Sequence, residues 1–492
     1  MLDVKTPAVA LVAFATVFLM LALGKFVWKR RKMPPGPFPL PLLGNYLQLR
    51  SGNQIQTLMK LSEKYGPVFT VYFGPRPNVV LVGYKAVKEM PIDHGDSVLG
   101  RGEIPIFFDL YNRCGLPVAN GDHWKQLRQF SRMTLRDFGM GKKSLEEPIQ
   151  TEARHMVNVF RNTKQHPVDP GYTLICASSN VIASVLMGTR YDYNDQKWLN
   201  ILSDMCKAFS ITSSPSGRLY DMFPSLMRIL PRNHQNFFKL LKGLRDVVKE
   251  QARRHLETLD PACPRDYIDC FLLRMKQENM KLPFDMKNLI STIFDMFLGG
   301  AETTAVTIKF GFLVLIKYPE IQVFYEEIEQ VIGFTRDPMV EDRSKMPYMN
   351  AVIHEIQRFS DVLPLGVARS ATSDIHFRGY LIPEKTDVLP VLTTVLNDPT
   401  QFETPHKFNV KHFLDENGKF MKNNGFLPFS AGKRNCIGES LTRMQLFIFF
   451  ASVLQKCTLK PTVAPKDLDI NPVETSFENI PPVHKIIFIP RE

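Results

Sequence analysis

The chain has 492 residues, 44% of them hydrophobic and 11% aromatic, so it can bury a large core, and no Gly/Ser linker, repeat or low-complexity block divides it after residue 50. Its seven cysteines (Cys114, Cys176, Cys206, Cys263, Cys270, Cys436 and Cys457) are odd in number, scattered and free of any CxxC pair, which excludes a disulfide framework and a paired-thiol zinc site. A formal charge of +12 suits an anionic partner or a membrane surface without choosing between them.

The first element is PAVALVAFATVFLMLALG, residues 7–24, which carries no charge and at about 1.5 Å per residue is long enough to span a bilayer. Phe26, Val27 and Trp28 extend the apolar run past Lys25, and the basic flank KFVWKRRK (25–32) follows. The competing reading is a cleaved signal peptide, but no small-residue cleavage site follows the run. Residues 1–32 are therefore expected to be a retained anchor and its flank, with everything after them on the cytosolic side by the positive-inside rule. Pro34, Pro35, Pro37, Pro39 and Pro41 make residues 33–45 a stiff extended hinge before a body spanning 46–492.

Within the body, VFTVYFGPRPNVVLVGY (68–84) reads as two strands around a GPRP turn. Helical spacing follows at 123–138, 178–187, 235–259 and 286–317, and the other strands sit near the two ends. The expected fold is mainly α with small β-sheets, in a single large domain. The run 286–317 is apolar nearly all round, as a central buried helix would be, yet GGAETT lies in its middle. Gly299 and Gly300 each cost about 1 kcal/mol against Ala there, and Glu302 must find a partner or water. Two adjacent glycines let a flat ligand or small molecule approach the backbone, and Thr303 can bond back to a carbonyl and locally open the helix.

The segment FSAGKRNCIGES (429–440) sets Cys436 just ahead of a helical run at 438–455. A thiolate that ligates a metal needs positive charge, N–H donors and exclusion of water, and a helix N-terminus supplies the first two. Gly432 permits a tight turn, Gly438 lets the helix lie against a planar cofactor, Phe429 can screen the sulfur, and Arg434 can pair with a cofactor carboxylate.

These residues fill every fixed position of F-x-x-G-x-R-x-C-x-G, through Phe429, Gly432, Arg434, Cys436 and Gly438, and the chain resembles the cytochrome P450 superfamily. GGAETT is similar to the family's oxygen-activating segment, EIQR to its E-x-x-R pair (Glu355 and Arg358), and HWKQLR to the Trp-x-x-x-Arg pair (Trp124 and Arg128) that holds haem propionates. RDFGMGKKSLEE (136–147) and PRDYIDCFL (264–272) resemble the microsomal vertebrate family 2 group. The expected fold is the P450 fold with an N-terminal anchor, and the expected cofactor is haem b with Cys436 as its iron ligand. Arg101 and Arg369 are further propionate donors by resemblance, Arg369 standing where close relatives usually carry His. FNVKHF (408–413) departs from the family's F-x-P-x-R-F: Val410 replaces the Pro, and His412 replaces the Arg as third member of a structural triad with Glu355 and Arg358.

The resemblance implies mono-oxygenation of a hydrophobic fatty acid, steroid, other lipid or xenobiotic. O2 would bind on the haem face away from Cys436, and Glu302 with Thr303 would relay protons. Electrons would come from NADPH through NADPH–cytochrome P450 reductase at the endoplasmic reticulum membrane, with cytochrome b5 a candidate second donor and nucleic acid not among the expected partners. Lys125, Arg136, Lys142, Lys143 and Lys433 would face the reductase. The pocket by resemblance comprises Ile104, Pro105, Phe107, Phe108, Phe209, Phe294, Phe297, Gly299, Val362, Leu363 and Phe477. Two other classes remain: a haem-thiolate isomerase or peroxide-dependent lyase, whose members generally lose the acid–alcohol pair, and a non-enzymatic haem sensor, which needs neither proton relay nor reductase face.

Overall fold

The computed structural model describes residues 30–49, 54–139, 145–231, 233–474 and 478–491, together with Phe14, Val17 and Gly24. The expected anchor (7–24) lies almost wholly outside the described residues, as do Lys142, Lys143 and Phe477.

The described strands are β1 (Val68–Phe73), β2 (Arg76–Leu81), β3 (Gly100–Arg101), β4 (Arg369–Ser370), β5 (Ile375–Phe377), β6 (Tyr380–Ile382), β7 (Asp387–Pro390), β8 (Cys457–Pro461), β9 (Val473–Glu474), β10 (Asn479–Ile480) and β11 (Ile486–Pro490). Five form one sheet in the order β1-β2-β7-β4-β3, and the rest pair two by two. The β1–β2 hairpin turns more tightly than expected: Phe73 pairs with Arg76, leaving Gly74 and Pro75 as the turn, so Pro77 falls inside β2. It is tolerated because β7 pairs with β2 only from Asn78 onward, so the edge at Pro77 loses no ladder bond.

The proline segment is stiff, as its composition implies, but it is bound to the sheet and is not a free spacer. The Thr70 hydroxyl donates to the Pro34 carbonyl at 2.9 Å, the Thr70 N–H donates to the Pro35 carbonyl at 2.7 Å, and Met33 is buried. A Cβ at Gly36 would collide with the Thr70 carbonyl, so the chain can lie this close only without a side chain there.

Most of the remaining body is helical. The helix Met286–Lys317 keeps its predicted bounds, and the Asp285 side chain caps it by accepting from the Asn288 N–H at 2.8 Å. Among the described residues it alone is long and apolar enough to cross a membrane, but it is mostly buried inside the body. Its two small faces have different jobs. A Cβ on Gly300 would sit 3.1 Å from Ile182 of the helix Gly171–Met187, and one on Gly311 would overlap the Phe450 ring of the helix Glu439–Lys456. The central helix is thus clamped between two neighbours at glycines. The run 235–259 divides into His234–Leu240 and Lys242–Thr258 around Leu241.

Candidate active site

The loop before the helix Glu439–Lys456 turns on Gly432, whose φ of +74° lies in the left-handed region; a side chain there would sit 2.9 Å from both Cβ and O of Pro91. The Cys436 N–H donates to the Phe429 carbonyl at 3.0 Å, closing the loop and leaving the sulfur two residues ahead of the N-cap, Gly438. A Cβ on Gly438 would meet only that sulfur, at 3.8 Å. The Cys436 surface is open, but it opens on an internal cavity. Desolvation by the surrounding protein therefore pushes the thiol up, while the Gly438 N–H and the Arg128 charge pull it back toward the thiolate.

Arg101, Arg128, Arg369 and Arg434 all line the same cavity as Cys436. Arg101 and Arg369 are direct partners across the β3–β4 pair, where two like charges are unfavourable unless an anion answers both. The hydrogen-bond acceptors of the four among the described residues are all neutral. Arg101 reaches the Pro117 carbonyl, Arg128 reaches Asn435, Arg369 reaches Ser430 and the Ala431 carbonyl, and Arg434 reaches the Leu99 and Ala119 carbonyls and Asn120. Nη1 of Arg434 is buried with no partner, and the guanidinium lies 4.1 Å from the centroid of the Trp124 ring. Burial, then mutual repulsion, lowers Arg128 and Arg369 to about 10 and Arg434 to about 8. Even so, each keeps its proton at neutral pH. Four guanidiniums around one cavity suit a multiply anionic group.

The central helix also presents Gly299, Glu302 and Thr303 to the cavity. A Cβ at Gly299 would meet nothing within 4 Å, so that glycine leaves space where Gly300 closes a helix contact. The Thr303 hydroxyl donates to the Gly299 carbonyl at 2.6 Å and Thr307 repeats the pattern to Thr303 at 2.7 Å, yet the helix runs unbroken. Back-bonding therefore aims the Thr303 oxygen without opening the helix. Glu302 is 4% exposed, one of its oxygens (Oε2) lacks a partner, and burial holds its carboxyl well above the ordinary range.

Glu355, Arg358 and His412 form one buried group. Arg358 forks onto both Glu355 oxygens at 2.6 and 2.7 Å and donates to the Leu396, Pro405 and Lys407 carbonyls, and Nδ1 of His412 lies 3.2 Å from each Glu355 oxygen. Where Val410 gives up the preset turn of a proline, the Asn409 side chain caps the turn by accepting from the Lys411 N–H at 3.1 Å.

The cavity is about 390 Å³. Ile104, Phe107, Phe108, Phe209, Val362 and Leu363 line it as expected of pocket residues. Phe294 and Phe297 do not. Phe294 packs edge-on to Tyr111 at 6.0 Å and Phe297 on Trp198 at 5.5 Å, because helical phase turns both into the core and gives the cavity Asp295 and Met296 instead. Pro105 starts the short helix Pro105–Leu110 and does not line the cavity. Sequence reasoning missed Tyr111, Asp295 and Glu478. The Tyr111 hydroxyl donates to Asp295 at 2.9 Å, and burial raises Asp295 to about 6. The only sequence signal for Asp295 was a lone carboxylate in an apolar helical run, and for Glu478 there was none.

A cysteine sulfur that could ligate a metal, with guanidiniums around it that hydrogen-bond only to neutral groups, suits an anionic macrocycle with a metal at its centre, the arrangement of haem-thiolate proteins. The comparisons with known proteins agree. The sequence pattern of the family described as Cytochrome P450 matches residues 34–488. The chain is 48% identical to cytochrome P450 2G1 of Oryctolagus cuniculus over 476 residues, covering 96% of each chain. It is 46% identical to cytochrome P450 2A6 of Homo sapiens over 490 residues, and 46% identical to cytochrome P450 2C23 of Rattus norvegicus over 485, each match covering 98% of both chains. The chain belongs to the cytochrome P450 family and is similar to its family 2. It is a haem-iron monooxygenase that works with a redox partner, O2 and a small-molecule substrate.

Proposed function

We propose that the protein inserts one atom of O2 into a C–H bond of a hydrophobic substrate, at the endoplasmic reticulum membrane, with electrons from NADPH delivered by cytochrome P450 reductase. The observation that carries this reading is the convergence, around one cavity, of the Cys436 sulfur, four guanidiniums whose hydrogen bonds go only to neutral acceptors, and the Glu302–Thr303 pair. Haem b bound there supplies a redox-active iron whose thiolate ligand favours O–O cleavage.

The protein's own residues supply the rest. The Gly438 N–H and Arg128 hold the Cys436 thiolate, and Arg101, Arg128, Arg369 and Arg434 with Trp124 hold the propionates. Glu302, whose carboxyl burial raises to about 7, can hold and release a proton near neutral pH next to Thr303, whose own hydrogen is committed to the Gly299 carbonyl so that its lone pairs accept. Phe107, packed 5.7 Å from Phe237 and 6.5 Å from Phe209, forms an apolar wall that excludes water and grips an apolar ligand. Presence of the acid–alcohol pair favours this reading over the isomerase and sensor classes.

The test is to incubate membranes carrying the protein with reductase, NADPH and a mixed lipid and xenobiotic extract, and to seek products one oxygen atom heavier. Product that persists without NADPH or reductase would overturn the electron route; adding cytochrome b5 shows whether it serves as second donor.

A further inference from the structure

We infer that Arg443 and His354 are positioning residues for the Cys436 thiolate: His354 holds Arg443 against Glu439 and Phe429, and by answering Glu439 the guanidinium leaves the positive end of the helix Glu439–Lys456 to the sulfur. The inference rests on Cys436 as the iron ligand and goes beyond it, to what sets the electron affinity of that iron.

Glu439 is the first residue of the helix, whose N-cap, Gly438, stands two residues after Cys436. A carboxylate at this place cancels part of the field that a helix N-terminus offers a thiolate. Arg443, one turn on, answers it. Its Nε and Nη2 donate to the same Glu439 oxygen at 3.1 and 2.9 Å, and the guanidinium lies 5.5 Å from the centroids of both the Phe426 and the Phe429 rings. Phe429 lines the cavity with Cys436, and its carbonyl accepts the Cys436 N–H. Arg443 does not line the cavity, so it bears on the sulfur through that ring and through Glu439.

An ion pair one turn apart on a helix surface is worth little by itself and is loosely held. This one is fixed from a second element. Nη1 of Arg443 donates to Nε2 of His354, on the helix Pro347–Ser360, at 2.8 Å. A guanidinium can only donate, so Nε2 is the bare nitrogen, and Nδ1 carries the hydrogen that it donates to the Asn350 carbonyl at 2.7 Å. The tautomer is thereby set. The His354 ring is buried among Phe413, Phe420 and Phe426, with centroids 5.5, 4.6 and 4.8 Å away. Burial, with the charges of Arg443, Arg343 and Lys422 added to it, lowers His354 to about 3, so it remains a neutral acceptor at neutral pH. The side chains of Arg443 and Glu439 are 22% and 33% exposed, so water screens their charges in part and limits the effect of either to a few-fold.

The test is the reduction equilibrium of the haem-loaded protein, measured by spectroelectrochemistry with mediator dyes and without reductase, so that docking plays no part. In Arg443→Met the Glu439 charge stands unanswered near the thiolate, and the equilibrium is expected to move roughly three- to ten-fold toward ferric iron. Glu439→Gln leaves Arg443 without its acid and should move it toward ferrous iron. The double variant should return close to wild type whatever its melting temperature. His354→Gln, whose amide oxygen can accept the same Arg443 bond, should keep the wild-type equilibrium, whereas His354→Leu should show part of the Arg443→Met shift. If Arg443→Met does not load haem, Glu439→Gln and the two His354 variants decide. Equilibria unchanged by these substitutions, or a double variant displaced as far as Arg443→Met alone, overturn the inference and leave Arg443 a structural residue. Absence of a thiolate-type CO spectrum in the wild type would instead overturn the assignment of Cys436 beneath it.

Discussion

Arg434 carries two opposed energies. Its side chain is buried among three other guanidiniums with one nitrogen unsatisfied, so in the haem-free chain its charge is compensated only by neutral acceptors and the Trp124 ring. With an anionic cofactor in place the same group becomes a charge-assisted donor. Arg434→Met should therefore raise the melting temperature of the haem-free protein and lower that of the loaded protein, as calorimetry on the two forms would show; equal shifts in both would remove Arg434 from cofactor binding. Thr303 gives a second residue-scale expectation. Thr303→Ala keeps the helix and the cofactor but removes the acceptor beside Glu302, so product formed per NADPH consumed should fall by about an order of magnitude or more while the CO spectrum survives. Tight coupling in that variant would take Thr303 out of proton delivery. Cys436 and Arg434 were legible because they act within one short loop, where spacing alone sets geometry. Tyr111 was not, because its meaning depends on Asp295, which the fold brings to the same cavity from far downstream.

The central helix was readable in its bounds and in the oddity of its two adjacent glycines, but not in its rotation. A helix apolar on all sides carries no periodic signal to say which face meets a cavity, and so Phe294 and Phe297 read as pocket residues although both pack into the core. Gly311 was likewise silent, because close approach of two helices is a property of the pair. A side chain there has no room against Phe450 and Ile356, so Gly311→Leu should cost about 1–3 kcal/mol by overpacking and lower the melting temperature. The Glu355–Arg358–His412 group ties the helix Pro347–Ser360 to the segment 396–412 through Arg358 hydrogen bonds to the Leu396, Pro405 and Lys407 carbonyls and the His412 contact with Glu355. Arg358→Met leaves Glu355 a buried charge with its main partner gone, a loss of about 3–5 kcal/mol. In urea melts of the variants that loss should exceed the effect of His412→Gln; the reverse order would make His412 the organising residue.

At the scale of the whole molecule, the charge of +12 could name no partner, but the structure gives part of it a place. On the proposed reading, electrons would reach the iron from the side of Cys436, because substrate and O2 would take the other side. Lys125 and Arg136 stand exposed on the helix Gly121–Asp137, which also carries Trp124 and Arg128, and Lys433 is exposed in the cysteine loop itself. Two of these charges are already partnered, Lys433 with Asp96 at 2.5 Å and Lys125 with Asp122 at 3.0 Å. Both pairs are solvent-exposed and so worth little, which lets an acidic reductase surface displace Asp96 and Asp122 at small cost. Docking of this kind has two signatures. Association should weaken as ionic strength passes about 0.1 M, where the Debye length is ~10 Å. Reversing Lys125, Arg136 and Lys433 to Glu should slow the first electron transfer and raise the reductase concentration needed for half-maximal turnover, while Asp96→Asn and Asp122→Asn, by freeing the two lysines, should lower it. Stopped-flow reduction under CO measures all of these directly. If the reversed and the freed variants both behave as wild type, the reductase binds a face on which these residues do not stand.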